Sequence, residues 1–299
     1  MSRRSPAKPR LITPALLRRW SLPPVHPKLG KEGRGSVLVI GGSVQVPGAV
    51  ILAAVGALRA GAGRLQIATA RSVAAQVAVT IPEALVIGLS ETRNGELAAR
   101  SCAALDESLA GSDAVLIGPG VRCETRATLA LLPALRQPGA SSPLIIDAGA
   151  LSAVEHYRRS KDSGELILTP HAGEMATLWG CDRDEVLARP LEIAREAAAR
   201  WNAVVALKGA HTFVVAPDGT AYCNTAGNIG LGTSGSGDTL SGVIAGLCAR
   251  GATAVQAAVW GVFLHAKAGD LLARRIGPLG YLARELLIEI PPLLMKMAR

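Results

Sequence analysis

The chain has 299 residues, 49% of them hydrophobic and only 3% aromatic, with a formal net charge of +9. That apolar content can bury a large core, while so few aromatic residues, without a zinc-finger or RNP-type signature, exclude a base-stacking nucleic-acid platform. The charge favours anionic partners, and because much of the excess lies in "MSRRSPAKPRLITPALLRRW", a small anionic metabolite suits the folded body better than nucleic acid or a membrane.

Residues 1–30 read as a basic tail and an irregular lead-in, with Pro and Gly crowded in "SLPPVHPKLGKEGRG". From residue 31 to 299 the pattern is that of a single domain, in which short apolar runs alternate with helical stretches. The runs are "SVLVIGG", "RLQIAT", "ALVIGL", "AVLIGPG", "PLIIDAG", "LILTPH" and "AVVALKG". Between them, "GAVILAAVGALRAG", "ELAARSCAALDESLAG" and "LEIAREAAARW" have helical spacing. Continuous apolar strands separated by helices predict an α/β fold, a three-layer sandwich with a mostly parallel sheet covered on both faces. "HTFVVAPDGTAYCN" carries a P-D-G turn and predicts an antiparallel hairpin on that sheet; from Ser234 onward only helix is expected.

The five cysteines, Cys102, Cys123, Cys181, Cys223 and Cys248, are scattered and never form C-x-x-C, which points to a reducing compartment rather than a disulfide frame or zinc site. The N-terminus has no secretory pattern, and the apolar run "AVILAAVGAL" is broken by Arg59 and Gly61 before reaching membrane length. A cytoplasmic, soluble protein is expected.

Parallel sheets bind ligands at the carboxyl ends of their strands. Gly41-Gly42-Ser43, Gly118-Pro119-Gly120, Asp147, His171 and Lys208-Gly209 each follow an apolar run directly. Any one of these could merely terminate a strand, but the repeated placement predicts a shared site. The second signal is "GLGTSGSGDTLSGVIAGL", from Gly230 to Leu247. "GLGTSG" fits G-x-G-x-x-G, yet it comes late, lacks a good buried strand before it, and has no acid about twenty residues on, unlike a dinucleotide fingerprint. No Walker A motif occurs. Leu240, Val243, Ile244, Leu247 and Cys248 recur at helical spacing, so a helix starting near Ser236 is expected. Its free amides and the glycines before it suit a phosphate, and Asp238 in its first turn can act as a base or simply as a capping acid. An anion cradle with an adjoining carboxylate is equipment for moving a phosphoryl group onto a hydroxyl.

"GTSGSGDTLSGVIAGL" resembles the G-x-G-D signature of the ribokinase-like superfamily. With "LIGPGV", "LIIDAGAL", "LTPHAGEM", "VVALKGAHTFVVAPDG" and "NTAGNIGLGTSGSGDTLSG", the chain from about Gly33 onward is similar in motif order and spacing to the ADP/ATP-dependent NAD(P)H-hydrate dehydratases. The resemblance implies a hydro-lyase of nicotinamide cofactor repair. ADP or ATP would phosphorylate the hydroxyl of the S-epimer of NADH or NADPH hydrate (NADHX or NADPHX), and loss of phosphate would restore the cofactor. It implies Asp238 as catalytic base and substrate contact, with Ala49, Gly120 and His171 bordering the hydrate. Lys208, Gly209, Ala210, His211, Thr212 and Gly237 would bind the nucleotide, and the backbone of Gly235, Ser236 and Gly237 would form the anion hole. Glu174 and Asp147 would hold Mg²⁺ through water. A homotetramer and a separate NAD(P)H-hydrate epimerase are also implied.

Two positions depart from the family pattern. Ser234 to Ser236 reads S-G-S where a second glycine is commoner, and Ala172 stands where Pro is usual. A ribokinase-like kinase of a small alcohol, such as a vitamin precursor, shares most of these motifs and would stop at the phosphate ester. A nucleotide-binding sensor would keep the cradle without turnover.

Overall fold

Side chains alternate across a strand, so a strand buried on both faces must be apolar at every position. The apolar runs meet that demand and become the sheet. The computed structural model describes residues 8–25, 29–98, 105–121, 142–157 and 165–297. Its strands are β1 (Arg10–Leu11), β2 (Ser36–Ile40), β3 (Arg64–Ala70), β4 (Ala84–Leu89), β5 (Ala114–Ile117), β6 (Leu144–Ile146), β7 (Leu166–Leu168), β8 (Val204–Leu207), β9 (Thr212–Val215) and β10 (Ala221–Asn224). They join in the order β1-β10-β9-β8-β7-β6-β5-β2-β3-β4. All neighbouring pairs are parallel except those of β9, which runs antiparallel to β8 and β10. The predicted hairpin is therefore present.

The helices are α1 (Pro14–Arg19), α2 (Gly48–Arg59), α3 (Arg71–Thr80), α4 (Asp106–Ala110), α5 (Ala172–Trp179), α6 (Arg183–Ala188), α7 (Pro190–Trp201), α8 (Ser236–Ala249), α9 (Ala254–Arg275) and α10 (Ala283–Met297). Val37 and Val39 enter a core shared with α1, α2, α8, α9 and α10, whereas Leu38 and Ile40 enter one shared with α4, α5, α6 and α7. The same alternation runs through β6, β7 and β8, giving the expected α/β three-layer sandwich.

Two segments differ from expectation. The predicted helix "ELAARSCAALDESLAG" does not begin at Glu96. Ala98 N–H donates instead to Ser90 O at 2.8 Å, and Leu97 bridges antiparallel to Glu91. The physical reason is a turn at Gly95, whose N–H donates to Thr92 O at 3.0 Å and reverses the chain. Its helical part among the described residues is α4, while Cys102 and Cys123 lie outside them. The lead-in also holds structure that its composition hides. Arg10–Leu11 pairs parallel with β10, Thr13 caps α1 at Leu16 N–H, Leu17 is buried, and Trp20 stacks on Tyr222 with ring centroids 5.6 Å apart.

The tightest packing lies between α2 and α8. A Cβ on Gly242 would sit 2.0 Å from Ala53 O, and one on Gly246 would sit 2.3 Å from Ala57 O. The two backbones touch, which only glycine permits, so α8 is fixed against the helix that follows β2.

Candidate active site

Strand order reverses between β5 and β2, the place where open α/β sheets take ligands. The loops leaving these strands meet there. Gly42 N–H donates to Pro119 O at 2.7 Å, and Gly118 N–H donates to Ile40 O at 3.0 Å. A Cβ on Gly120 would lie 3.0 Å from Ala49 Cβ and 3.1 Å from Gly42 Cα. Ala49 and Gly120 thus adjoin in a wall built largely of backbone, and a larger residue has no room in it.

Beyond this wall, β6, β7 and β8 deliver Asp147, His171 and Lys208 to the same edge. Asp147 is 1% exposed, and its Oδ1 accepts from the Thr169 hydroxyl at 2.7 Å and from Lys208 Nζ at 3.2 Å. The next residue, Ala148, has φ 49°, a left-handed conformation uncommon outside glycine and recurrent beside functional groups. Lys208 Nζ also lies 3.8 Å from Glu174 Oε2. Burial works against its charge, but Asp147, Glu174 and Asp238 outweigh it and hold the ammonium above its ordinary range.

His171 is the N-cap of α5. Its Nδ1 accepts from Gly173 N–H at 3.0 Å and Glu174 N–H at 3.1 Å, while Glu174 Oε2 accepts from His171 N–H at 2.7 Å. This reciprocal capping box commits Nδ1 as an acceptor, which leaves the ring proton on Nε2, 3.6 Å from Glu174 Oε1. The Ala172 departure falls at the first helical position, where Pro and Ala are both accommodated.

Asp238 sits in the first turn of α8, entered through Gly235 at φ 86°. This left-handed residue explains why the loop needs glycine at that point. Asp238 has its carboxyl pushed up to about 7, first by burial and then by Asp147 and Glu174, with Lys208 opposing. A Cβ on Gly237 would lie 3.3 Å from Lys208 Nζ, which places the ammonium directly over this turn. The cluster is three carboxylates and one ammonium facing a helix N-terminus. Such a set can hold a polyphosphate and take a proton from a nearby hydroxyl.

The turn from Lys208 to Thr212 borders this cluster. Gly209, Ala210 and His211 are exposed, and the Thr212 hydroxyl lies 3.5 Å from Gly209 O. Among the described residues no three His, Cys, Asp or Glu side chains form a cage able to hold a metal by themselves. Carboxylates such as Asp147 and Glu174 would meet Mg²⁺ only through the water it retains. A cavity of about 400 Å³ beside Leu166, Arg200 and Trp201 lies at the opposite edge of the sheet, away from these groups.

Sequence reasoning brought these residues to one edge but passed over three supports. Thr169 steadies Asp147, and His265 and Asp270 on α9 reach the glycine loop. Thr169 precedes Pro170 in "LTPH" and could have been noticed; a His inside an apolar helix gives little signal.

Residues 37–292 match the family model described as NAD(P)H-hydrate dehydratase. The chain is 50% identical to an ADP-dependent (S)-NAD(P)H-hydrate dehydratase of Xanthomonas campestris, across 97% of this chain and 98% of that protein. It is 41% identical to a bifunctional NAD(P)H-hydrate repair enzyme of Moorella thermoacetica, of which it spans 54%. The fold superposes with a TM-score of 0.81 and 30% identity on the Bacillus subtilis ADP/ATP-dependent NAD(P)H-hydrate dehydratase co-crystallised with ATP/Mg²⁺, covering 96% of this chain and 98% of that one.

Proposed function

Because the chain belongs to the NAD(P)H-hydrate dehydratase family, we propose that its sheet-edge cluster carries out the ADP-dependent, or ATP-dependent, dehydration of (S)-NAD(P)H hydrate. Hydroxide leaves carbon poorly and phosphate leaves well, so the hydroxyl is first converted to a phosphate ester. Asp238 accepts the hydroxyl proton as the oxygen attacks the terminal phosphorus of the nucleotide, and the bond to the departing nucleotide breaks. Contrary to the expected anion hole, Ser236 N–H already donates to Thr233 O at 3.2 Å, so the amides of Gly235 and Gly237 hold the charge gathering on the phosphoryl oxygens, with Lys208 above them. The ring nitrogen lone pair then expels phosphate from the adjoining carbon, and loss of a proton from the next carbon restores the ring double bond.

The other roles follow the same layout. His171, through Nε2, together with Ala49 and Gly120, borders the hydrate. Residues 208–212 and Gly237 take the nucleotide. Asp147 and Glu174 would hold the water shell of Mg²⁺, which would supply charge neutralisation to the phosphates. We further assign the reaction to a cytoplasmic homotetramer served by a separate epimerase that converts the R epimer. Residues 31–299 act as one catalytic domain.

The observation that carries this reading is the placement of the Asp238 carboxyl in the first turn of α8, beside Lys208 Nζ, which lies 3.3 Å from a Cβ on Gly237 and 3.2 Å from Asp147 Oδ1. It is tested by incubating NADH hydrate with Mg²⁺ and ADP or ATP while following reduced cofactor and orthophosphate together. The reading expects them in equal amounts. Accumulation of a phosphorylated hydrate, with no recovery of NADH, would make the protein a kinase instead.

A further inference from the structure

The glycine loop from Gly227 to Ser236 leads into the amides assigned to the phosphoryl group, those around Gly235 and Gly237, yet glycines leave its own shape weakly specified. Something outside it must fix where those amides point. The Tyr281 hydroxyl donates to Asn228 Oδ1 at 3.0 Å near its start, and α9 supplies two further contacts, one at each end. At one end, Gly227 N–H donates to Asp270 Oδ1 at 3.2 Å. At the other, Ser236 Oγ lies 3.0 Å from His265 Nε2, with both side chains buried. Between them Leu231 closes on the same helix, since a Cβ on Gly269 would fall 2.7 Å from its Cδ2.

The direction of the Ser236 hydroxyl matters. It points into the protein toward His265, and Ser236 N–H donates to Thr233 O at 3.2 Å, so Ser236 anchors the loop between Gly235 and Gly237, whose amides are the ones assigned to the phosphoryl group. His265 is suited to this task as a neutral ring. Burial, with a contribution from nearby Lys208, lowers its pKa to about 4, so it remains an uncharged partner at neutral pH. Asp270 is itself held by Lys267 at 3.0 Å, on the same helix.

We propose that His265 and Asp270 are positioning residues for the phosphoryl-transfer step, pinning the two ends of the glycine loop to α9 so that its amides face the transferring group. Neither touches substrate. The inference rests on the dehydratase reading of this site. Its distinguishing consequence is a loss in kcat that exceeds the change in nucleotide KM, because the pinned amides act on charge that develops in the transition state, whereas residues 208–212 hold the rest of the nucleotide.

The test compares wild type with His265→Leu, His265→Gln, Ser236→Ala and the Ser236→Ala/His265→Leu double variant, using NADH hydrate with ADP and Mg²⁺. We expect His265→Leu to lower kcat about tenfold or more with nucleotide KM changed less than threefold, as for a displaced catalytic group. His265→Gln, which keeps a hydrogen-bonding group, should recover part of that loss. The double variant should be no slower than the worse single one, since both remove the same contact. Asp270→Asn, which retains Oδ1, should stay closer to wild type than Asp270→Ala. Folded variants with wild-type kcat, or losses that multiply in the double variant, would overturn the inference. Fluorescence titration with ADP gives a second readout: retained nucleotide affinity in a slow His265→Leu supports the proposal, and equal loss of affinity and rate contradicts it. A wild type that recovers no NADH would instead refute the dehydratase reading itself.

Discussion

At the scale of single residues, Asp238 is held in an uncomfortable place for a charge. Its pKa of about 7 stands above the ordinary value of 3.8, so the folded protein retains a proton there that the unfolded chain has lost. Stability is therefore given up as pH rises from about 4 to about 7, and the cost persists above that range. Asp238→Asn is expected to raise the melting temperature by several degrees at pH 8 and by much less at pH 5, while lowering turnover by about 10²–10⁴-fold. Thermal melts at the two pH values, beside rate measurements, check both. The pH–rate profile of the wild type should rise through a limb near 7, as the base must be ionised. Lys208 lowers that pKa and Glu174 raises it, so Lys208→Met should move the limb up and Glu174→Gln should move it down. Glutamine can also serve the capping box at His171, which keeps the second variant folded. Limbs that stay in place in both variants would separate Asp238 from this cluster.

At the scale of elements, the site depends on how closely α8 approaches α2. The methyl of Gly242→Ala would collide with Ala53 O, which lies 2.0 Å from its Cβ position. The helices must part, and destabilisation of about 1–3 kcal/mol follows by the usual cost of overpacking. Urea denaturation should show a lower midpoint with an unchanged slope. Strands were legible in the sequence because β2, β5, β6, β7 and β8 are buried on both faces and read as unbroken apolar runs. The edge element β1 was not, since a strand of only two residues, Arg10–Leu11, carries no period to detect. The amide cradle was legible from its glycines and Asp238. Its supports were not, because His265 and Asp270 reach the loop from a helix whose own pattern is that of an ordinary core element.

At the scale of the whole molecule, one sheet brings together chemistry spread from Gly42 to Asp238, and the strand reversal between β2 and β5 places it. The first described residues belong to this unit, because Trp20 O accepts from Trp260 Nε1 at 2.9 Å and joins the lead-in to α9. Removing residues 1–20 should thus lower the melting temperature by several degrees, although no residue assigned to the site is lost. A shortened protein that melts with the full chain would show that this edge contributes nothing. If a separate epimerase serves this site, as proposed above, an equilibrated mixture of R and S hydrates should be consumed only in part until an epimerase is added. Complete consumption by the purified protein alone would contradict the division of labour proposed above.

The central claim is that a single carboxylate, Asp238, withdraws the hydroxyl proton during phosphoryl transfer. The most direct measurement is a single-turnover reaction of S-epimer NADH hydrate with saturating ADP and Mg²⁺, comparing wild type with an Asp238→Asn variant shown to bind ADP equally well. Restoration of NADH and release of orthophosphate by the wild type, with neither formed by the variant on the same timescale, is the predicted result. An Asp238→Asn protein that restores NADH at the wild-type rate would contradict the account.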